Sequence, residues 1–144
     1  MKPEYIVMHC SATEDSGTVS WQAIRRYHTG TLGWSDIGYH FGLELVGDQF
    51  EVLAGRPPSK KGAHCKAAGM NSRSIGVCFV GDYDTAKPPP EMVALGANYV
   101  AGLCETLGIP VENVIGHREV EDRKTCPGLM FDMDDFRKTV EGMK

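Results

Sequence analysis

The apolar positions of the chain form several short β-prone runs and one long stretch of helical spacing in its second half. Tyr5-Ile6-Val7-Met8 is a compact apolar run entering His9-Cys10-Ser11, the pattern of a buried strand that delivers His9 at its end. Strand side chains alternate between faces, so His9 and Cys10 are expected to point opposite ways, with only one facing a shared site directly. Tyr39 to Val46 and Gln49 to Leu53 read as two antiparallel strands joined at Gly47-Asp48, where Gly suits the first position of a type II′ turn. Ser74 to Val80 has the apolar density of a central strand, and Val114-Ile115 form a short one ending at Gly116-His117.

Helical patterns alternate with these strands. Ser20 can cap a short helix over Trp21 to His28, with Trp21, Ile24 and His28 on one face and Gly30 beyond. Met92, Leu95, Tyr99, Val100, Leu103 and Leu107 recur at helical spacing over Glu91 to Leu107, with Pro90 before and Gly108 after. Asp132, with Asp135 three residues on, can cap a last helix through Val140. Mixed strands and helices predict an α/β fold, a central mixed sheet flanked by helices, in one domain over residues 1–144.

Composition agrees with that picture and narrows the chemistry. With 144 residues, 42% of them hydrophobic, the chain is of a size that builds a real core. No apolar run approaches the roughly 18 residues of a membrane-spanning helix, so no membrane insertion is expected. The start, Met-Lys-Pro-Glu, does not fit a signal peptide, which predicts synthesis in the cytoplasm. Five cysteines without regular spacing read as reduced thiols rather than a disulfide framework. A net charge of -4 argues against nucleic acid as a partner. Yet the segment from Gly55 to Gly81 carries Arg56, Lys60, Lys61, Lys66 and Arg73 and no Asp or Glu. It reads either as a solvated loop or as a groove for anionic ligands.

His117 and Cys126 stand nine residues apart and no Cys-x-x-Cys pair exists, which excludes the tight spacing of structural zinc modules. A catalytic zinc needs only three protein ligands that meet in space and one open position. Taken singly, His9 would be a polar strand end and Cys126 a small buried hydrophobe. The local strings read together say more. Val7-Met8-His9-Cys10-Ser11-Ala12-Thr13, Ile37-Gly38-Tyr39-His40-Phe41, Gly62-Ala63-His64 with Asn71 and Ser74-Ile75-Gly76-Val77-Cys78, Gly116-His117-Arg118, and Lys124-Thr125-Cys126-Pro127-Gly128 follow in order along the chain. Together they resemble the type 2 N-acetylmuramoyl-L-alanine amidases, a family that includes the peptidoglycan recognition proteins.

Within that family the chain is most similar to the amidase-type lysozymes of bacteriophages. The resemblance implies Zn2+ held by His9, His117 and Cys126, with Tyr39 and Lys124 as catalytic partners, and a peptidoglycan or muropeptide substrate. It also implies that His64 sits beside the metal facing substrate, with a solvated loop histidine as the alternative, and that Asn71 belongs to the substrate loop. Apart from the strings, the basic segment suggests that Lys60, Lys61, Lys66 and Arg73 line a groove for the carboxylates of stem peptides, with a solvated loop as the equal alternative. His40 is expected to be structural, His28 and Cys104 packing residues, and the protein a monomer.

That ligand set is chemically coherent. Zinc with two neutral imidazoles and one thiolate stays positive, acidifies a water and polarises the lactyl amide carbonyl. The oxyanion that follows needs donors, which Lys124 and the Tyr39 phenol can supply. Members that recycle muropeptides carry Asp as third ligand and Glu on the central strand, where this chain has Cys126 and Cys78; the general base is unassigned, since a thiol at 78 replaces the carboxylate. Four alternatives stay open at this level. Cys126 can be read as a nucleophile paired with His117, which leaves His9 and Lys124 unexplained. A binding-only module is disfavoured by the presence of Cys126. Some phage relatives bind a phage-type RNA polymerase through an N-terminal extension, but only eight residues precede His9 here. Finally, an endolysin waiting in the host cytoplasm for membrane permeabilisation and an enzyme of muropeptide recycling both fit.

Overall fold

The structure, a computed structural model, describes residues 1–12 and 20–144. Thr13, the last residue of the first His-bearing string, lies outside them. Five strands form one sheet: β1 (Tyr5–Cys10), β2 (Phe41–Val46), β3 (Gln49–Ala54), β4 (Ser74–Phe79) and β5 (Val114–Gly116), in the order β3-β2-β4-β1-β5. β1 runs parallel to β4 and β5, β2 is parallel to β4, and β2 and β3 form the antiparallel hairpin, so the sheet is mixed as the pattern predicted. β1 and β4 are covered on both faces, which is why they read as unbroken apolar runs rather than alternations.

In the hairpin, Val46 pairs with Gln49 across two turn residues, and Gly47 adopts φ +66° at the first of them. β2 begins two residues later than expected. Tyr39 and His40 lead into it in an irregular stretch that bonds to both neighbours: His40 N–H donates to the Gly76 carbonyl at 2.9 Å, while the carbonyls of His40 and Tyr39 accept from Gly55 and Arg56 at 2.8 and 3.0 Å.

Ile6 and Met8 of β1 join Leu43, Ile75, Val77 and Phe79 in a core packed against α2 (Pro90–Leu107) and α3 (Met133–Gly142). α2 has Pro90 in its first turn and closes at Gly108, φ +68°, whose successor Ile109 donates to the Cys104 carbonyl at 2.9 Å. Its buried stripe differs from the large-residue reading: Met92, Gly96, Ala97, Val100, Ala101 and Cys104 face inward, and Leu95, Tyr99, Leu103 and Leu107 are half-buried. The small residues are needed because the helix lies close to the sheet. A Cβ on Gly96 would meet Phe79 Cζ at 2.5 Å. α3 is capped by Asp132, whose carboxylate accepts from Asp135 N–H at 3.0 Å.

Val7, His9 and Cys78 belong to the other face of the sheet, under α1 (Trp21–Arg26) and the segment from Gly62 to Ser72. Ser20 caps α1 by accepting from Ala23 N–H, but Gly30 does not end the helical path; it widens into a π turn over Tyr27–Thr31, and the left-handed residue is Gly33, φ +75°. Among the described residues no helix is long and apolar enough to cross a membrane. One register detail positions everything that follows. Met8 of β1 pairs with Gly116 of β5 in parallel, so the next residues, His9 and His117, emerge side by side at the carboxyl ends of adjacent strands.

Candidate metal centre

His9 and His117 face each other with ring centroids 4.8 Å apart, and the loop after β5 brings Cys126 to them. One ligand atom from each of the three residues can be chosen so that all lie within 4.8 Å of one another. Cys126 Sγ is 3.6 Å from His9 Nδ1 and accepts from the Cys10 backbone N–H at 3.1 Å. Alternation does turn the Cys10 side chain toward the helical core, as expected. Because the strand ends there, however, the Cys10 thiol still shares a hydrogen bond with Cys126. That bond, and then burial, push the Cys126 thiol up, so a metal-free pocket holds it neutral.

His9 is fully buried. Burial first, then the neighbouring His64 and His117 rings, hold it well below the usual imidazole range and therefore neutral. Its Nε2 lies 2.8 Å from His64 Nδ1. His64 in turn sets its Nε2 3.3 Å from Ser74 Oγ, and burial with the adjacent His40 lowers it to about 3. Both His64 nitrogens are thus engaged within the protein, beside the candidate ligand rather than in an open groove. Asn71 Oδ1 accepts from the backbone N–H groups of His64 and Cys65 at 2.7 and 2.8 Å, so the Asn71 side chain fixes this loop's backbone. His40 accepts from Gly76 N–H at Nδ1, 3.0 Å, and donates from Nε2 to the Lys60 carbonyl at 2.7 Å, a structural role. His28 Nδ1 accepts from Gly38 N–H at 2.9 Å and its ring packs on Trp34.

His117 begins a single 3-10 turn after β5. Its Nε2 lies 3.3 Å from Glu121 Oε2. A carboxylate only accepts, so Nε2 carries the proton and Nδ1 keeps the lone pair. Burial lowers His117 despite the Glu121 contact. The loop that follows is held by groups no spacing rule had singled out. Arg118 donates to the carbonyls of Gly128 and Phe131, each at 2.6 Å, and its own N–H donates to the Cys126 carbonyl at 2.8 Å. Asp84 accepts from Leu129 N–H at 3.0 Å and from Thr125 Oγ1 at 3.2 Å. Arg137 of α3 grips both Glu119 oxygens, and Glu119 accepts from Gly116 N–H at 2.7 Å. Arg118 lies in the Gly116-His117-Arg118 string, while Asp84 carries no local signal.

The Tyr39 ring lies 5.2 Å from His9 and is stacked on Trp21 at 6.2 Å. Burial, then the Cys78 and Cys126 thiols, raise its phenol well above the usual range, and it shares a hydrogen bond with Cys78. Lys124 is exposed, yet its charge is among the influences that lower His117. The basic segment divides. Arg56 is spent on the carbonyls of Ile37, Lys61 and Asp36, and Arg73 pairs with Glu4 beside the start of β1, at the far end of that strand from His9. Lys60 and Lys61 are exposed on a pocket of about 420 Å³ with Ser35, Asp36, Arg56 and Pro57, next to the segment carrying Tyr39; Lys66 is exposed before the 67–72 turn.

A profile of the family described as N-acetylmuramoyl-L-alanine amidase matches residues 1–129. The chain belongs to that family. It is 36% identical over 143 residues to the endolysin of Enterobacteria phage K11, covering 93% of this chain and 85% of that protein. It is 33% identical to peptidoglycan-recognition protein LB of Drosophila melanogaster over 86% of its length, but spans only 54% of that relative. Among solved structures, the amidase LysC from Clostridium intestinale superposes with a TM-score of 0.83 at 26% identity, covering 98% of this chain and 87% of that one. A Drosophila PGRP-LB variant solved in complex with tracheal cytotoxin gives 0.74 at 30% identity, covering 91% and 79%. The amidase family and its mixed sheet flanked by helices therefore agree with the strings read from the sequence.

Proposed function

We propose that this chain hydrolyses the amide bond between N-acetylmuramic acid and L-alanine in peptidoglycan, using one Zn2+ held by His9, His117 and Cys126. The observation that carries the reading is the 3.6 Å between His9 Nδ1 and Cys126 Sγ. Zinc–nitrogen and zinc–sulfur bonds of about 2.0 and 2.3 Å at a tetrahedral angle imply about 3.5 Å for that edge. Two imidazoles kept neutral by burial and a thiol are also the donor chemistry zinc takes. When bound, zinc would polarise the lactyl carbonyl and make a water nucleophilic.

The chain's own residues do the rest. Tyr39, kept protonated by burial and sharing a hydrogen bond with Cys78, would turn its phenolic hydrogen from that thiol to a substrate or water oxygen near His9. Lys124 brings a positive charge to the Cys126 side of the centre, where an oxyanion would develop. Lys60 and Lys66 offer charge to stem-peptide carboxylates. The overall reaction adds water across the C–N bond, leaving a lactyl carboxylate and the free amino group of L-alanine. The similarity to the phage K11 endolysin over most of both chains supports an endolysin role, acting on the wall once the membrane has been breached. Purified sacculi treated with the protein should release new alanine amino groups and no new reducing sugars. Chelation should abolish that release and Zn2+ restore it. Full activity in metal-free protein would sink the zinc reading, and strong activity on small anhydro-muropeptides alone would sink the endolysin role.

A further inference from the structure

The hydroxyl of Ser74 sits 2.7 Å from the Met70 carbonyl and 3.3 Å from His64 Nε2. A carbonyl only accepts, so at the shorter distance Ser74 must give its single proton to Met70; otherwise two lone pairs would face each other at 2.7 Å in a fully buried place. Ser74 Oγ is then an acceptor toward His64, and His64 carries its proton on Nε2. His64 Nδ1 is left with a lone pair, and the ring 2.8 Å away, His9, must supply the proton from its own Nε2. His9 Nδ1 is thereby the nitrogen with the lone pair, and it is the one that faces Cys126 Sγ. From a backbone carbonyl in the 67–72 turn, each step leaves the next group one choice of tautomer.

The His64 ring also has a built seat. A Cβ on Gly76 would come within 2.6 Å of His64 Cγ and 2.8 Å of its Nδ1, and one on Gly62 within 2.6 Å of Cδ2, so the ring lies flat in a slot that only two glycines leave open. Asn71 fixes the backbone of the same residue.

We infer that His64 and Ser74 are positioning residues that hold His9 in the Nε2–H tautomer, presenting Nδ1 as the metal ligand. The inference rests on the zinc reading for its purpose but not for its hydrogen bonds. Outer partners that fix a ligand histidine typically contribute 10–100-fold in metal affinity. The decisive measurement is the tautomer of each ring, read from nitrogen-15 histidine spectra of the metal-free protein. His64 and His9 are both expected as Nε2–H; a His64 protonated on Nδ1 overturns the inference, whatever zinc does. Chelator competition on the zinc-loaded protein gives the second readout. His64→Leu should weaken zinc roughly 10–100-fold, Ser74→Ala less, and Ser74→Thr, which keeps the hydroxyl, should return close to the original affinity. Folded His64→Leu protein with unchanged affinity would also overturn the inference. A chain that bound no zinc but showed both Nε2–H tautomers would instead refute the metal reading and leave the proton order standing.

Discussion

The two sides of the candidate metal centre are built on different principles. His9 stands on a central strand, hydrogen-bonded on both edges, and its ring is oriented by a buried neutral series of His64, Ser74 and a backbone carbonyl. His117 and Cys126 stand on a 3-10 turn and a loop, where the orienting groups are ionic: Glu121 on His117, Arg118 across the loop carbonyls, and Asp84 and Arg137 on the flanks. Regular structure needs few side chains to fix a residue, because the ladder already fixes its backbone. A loop has no ladder, so charged side chains must take up its carbonyls and N–H groups one at a time.

The largest test of that contrast is on the loop side. Arg118 satisfies two loop carbonyls with charge-assisted bonds, each of a kind that contributes about 1.5–3 kcal/mol. In Arg118→Ala both carbonyls lose their charge-assisted bond, the Gly128 carbonyl keeping only Phe131 N–H at 3.0 Å, and the path from His117 to Cys126 loosens. Zinc affinity should fall about 10–100-fold, the range for outer groups that hold ligands, while the His9 and His64 tautomers stay as they are. Unchanged zinc affinity in a folded variant would show that the loop holds Cys126 without its clasp.

The same contrast explains what could be read from the sequence. The β1 and β4 runs, the hairpin at Gly47 and the caps at Ser20, Pro90, Gly108 and Asp132 are local signals, and each corresponds to the element found. The three candidate metal donors are legible only as members of strings, since nothing local says that His9 and Cys126, 117 residues apart, meet. The late start of β2 comes with long-range bonds, such as His40 to Gly76. Ser74 reads as an ordinary first residue of a strand, and Asp84 as a loop carboxylate. Their roles depend on which carbonyl or N–H the fold brings within 3 Å, and periodicity carries no record of that.

A smaller effect separates the two sides by pH. On the strand side the imidazoles are kept neutral by burial, His64 down to about 3. The unfolded chain takes up those protons below about pH 6.5 while the folded one does not, so stability is fully present above that value and is lost as pH falls. For His64 alone the slope is about 1.4 kcal/mol per pH unit, about 2 kcal/mol between pH 6.5 and pH 5. On the loop side His117, also lowered by burial, shares that dependence, but the carboxylate Glu119 behaves otherwise. Burial pushes Glu119 up, but its bonds from Arg137 and Gly116 outweigh that and hold the carboxyl low, so its contribution is lost only in more acid solution, below the ordinary carboxylate range. Urea midpoints of metal-free protein should therefore drop already between pH 7 and pH 5. A flat profile there would refute the buried neutral imidazoles.

The smallest effect concerns the lysines that border the strand side without being part of it. His40 uses the Lys60 backbone carbonyl, not the Lys60 side chain, so the ammonium groups of Lys60 and Lys61 are exposed where the histidine network does not depend on them. Reversing both, Lys60→Glu with Lys61→Glu, should leave zinc content and the ring tautomers intact. If these charges meet stem-peptide carboxylates, KM for wall fragments should rise a few-fold at low salt. Exposed charges are screened over about 10 Å at 0.1 M ionic strength, so the difference should shrink as salt is added, and kcat should hardly change. Equal KM for variant and parent at low salt would make this face a solvated loop. A fall in zinc content would show instead that the 60–64 segment is less rigidly tied to His9 than its hydrogen bonds imply.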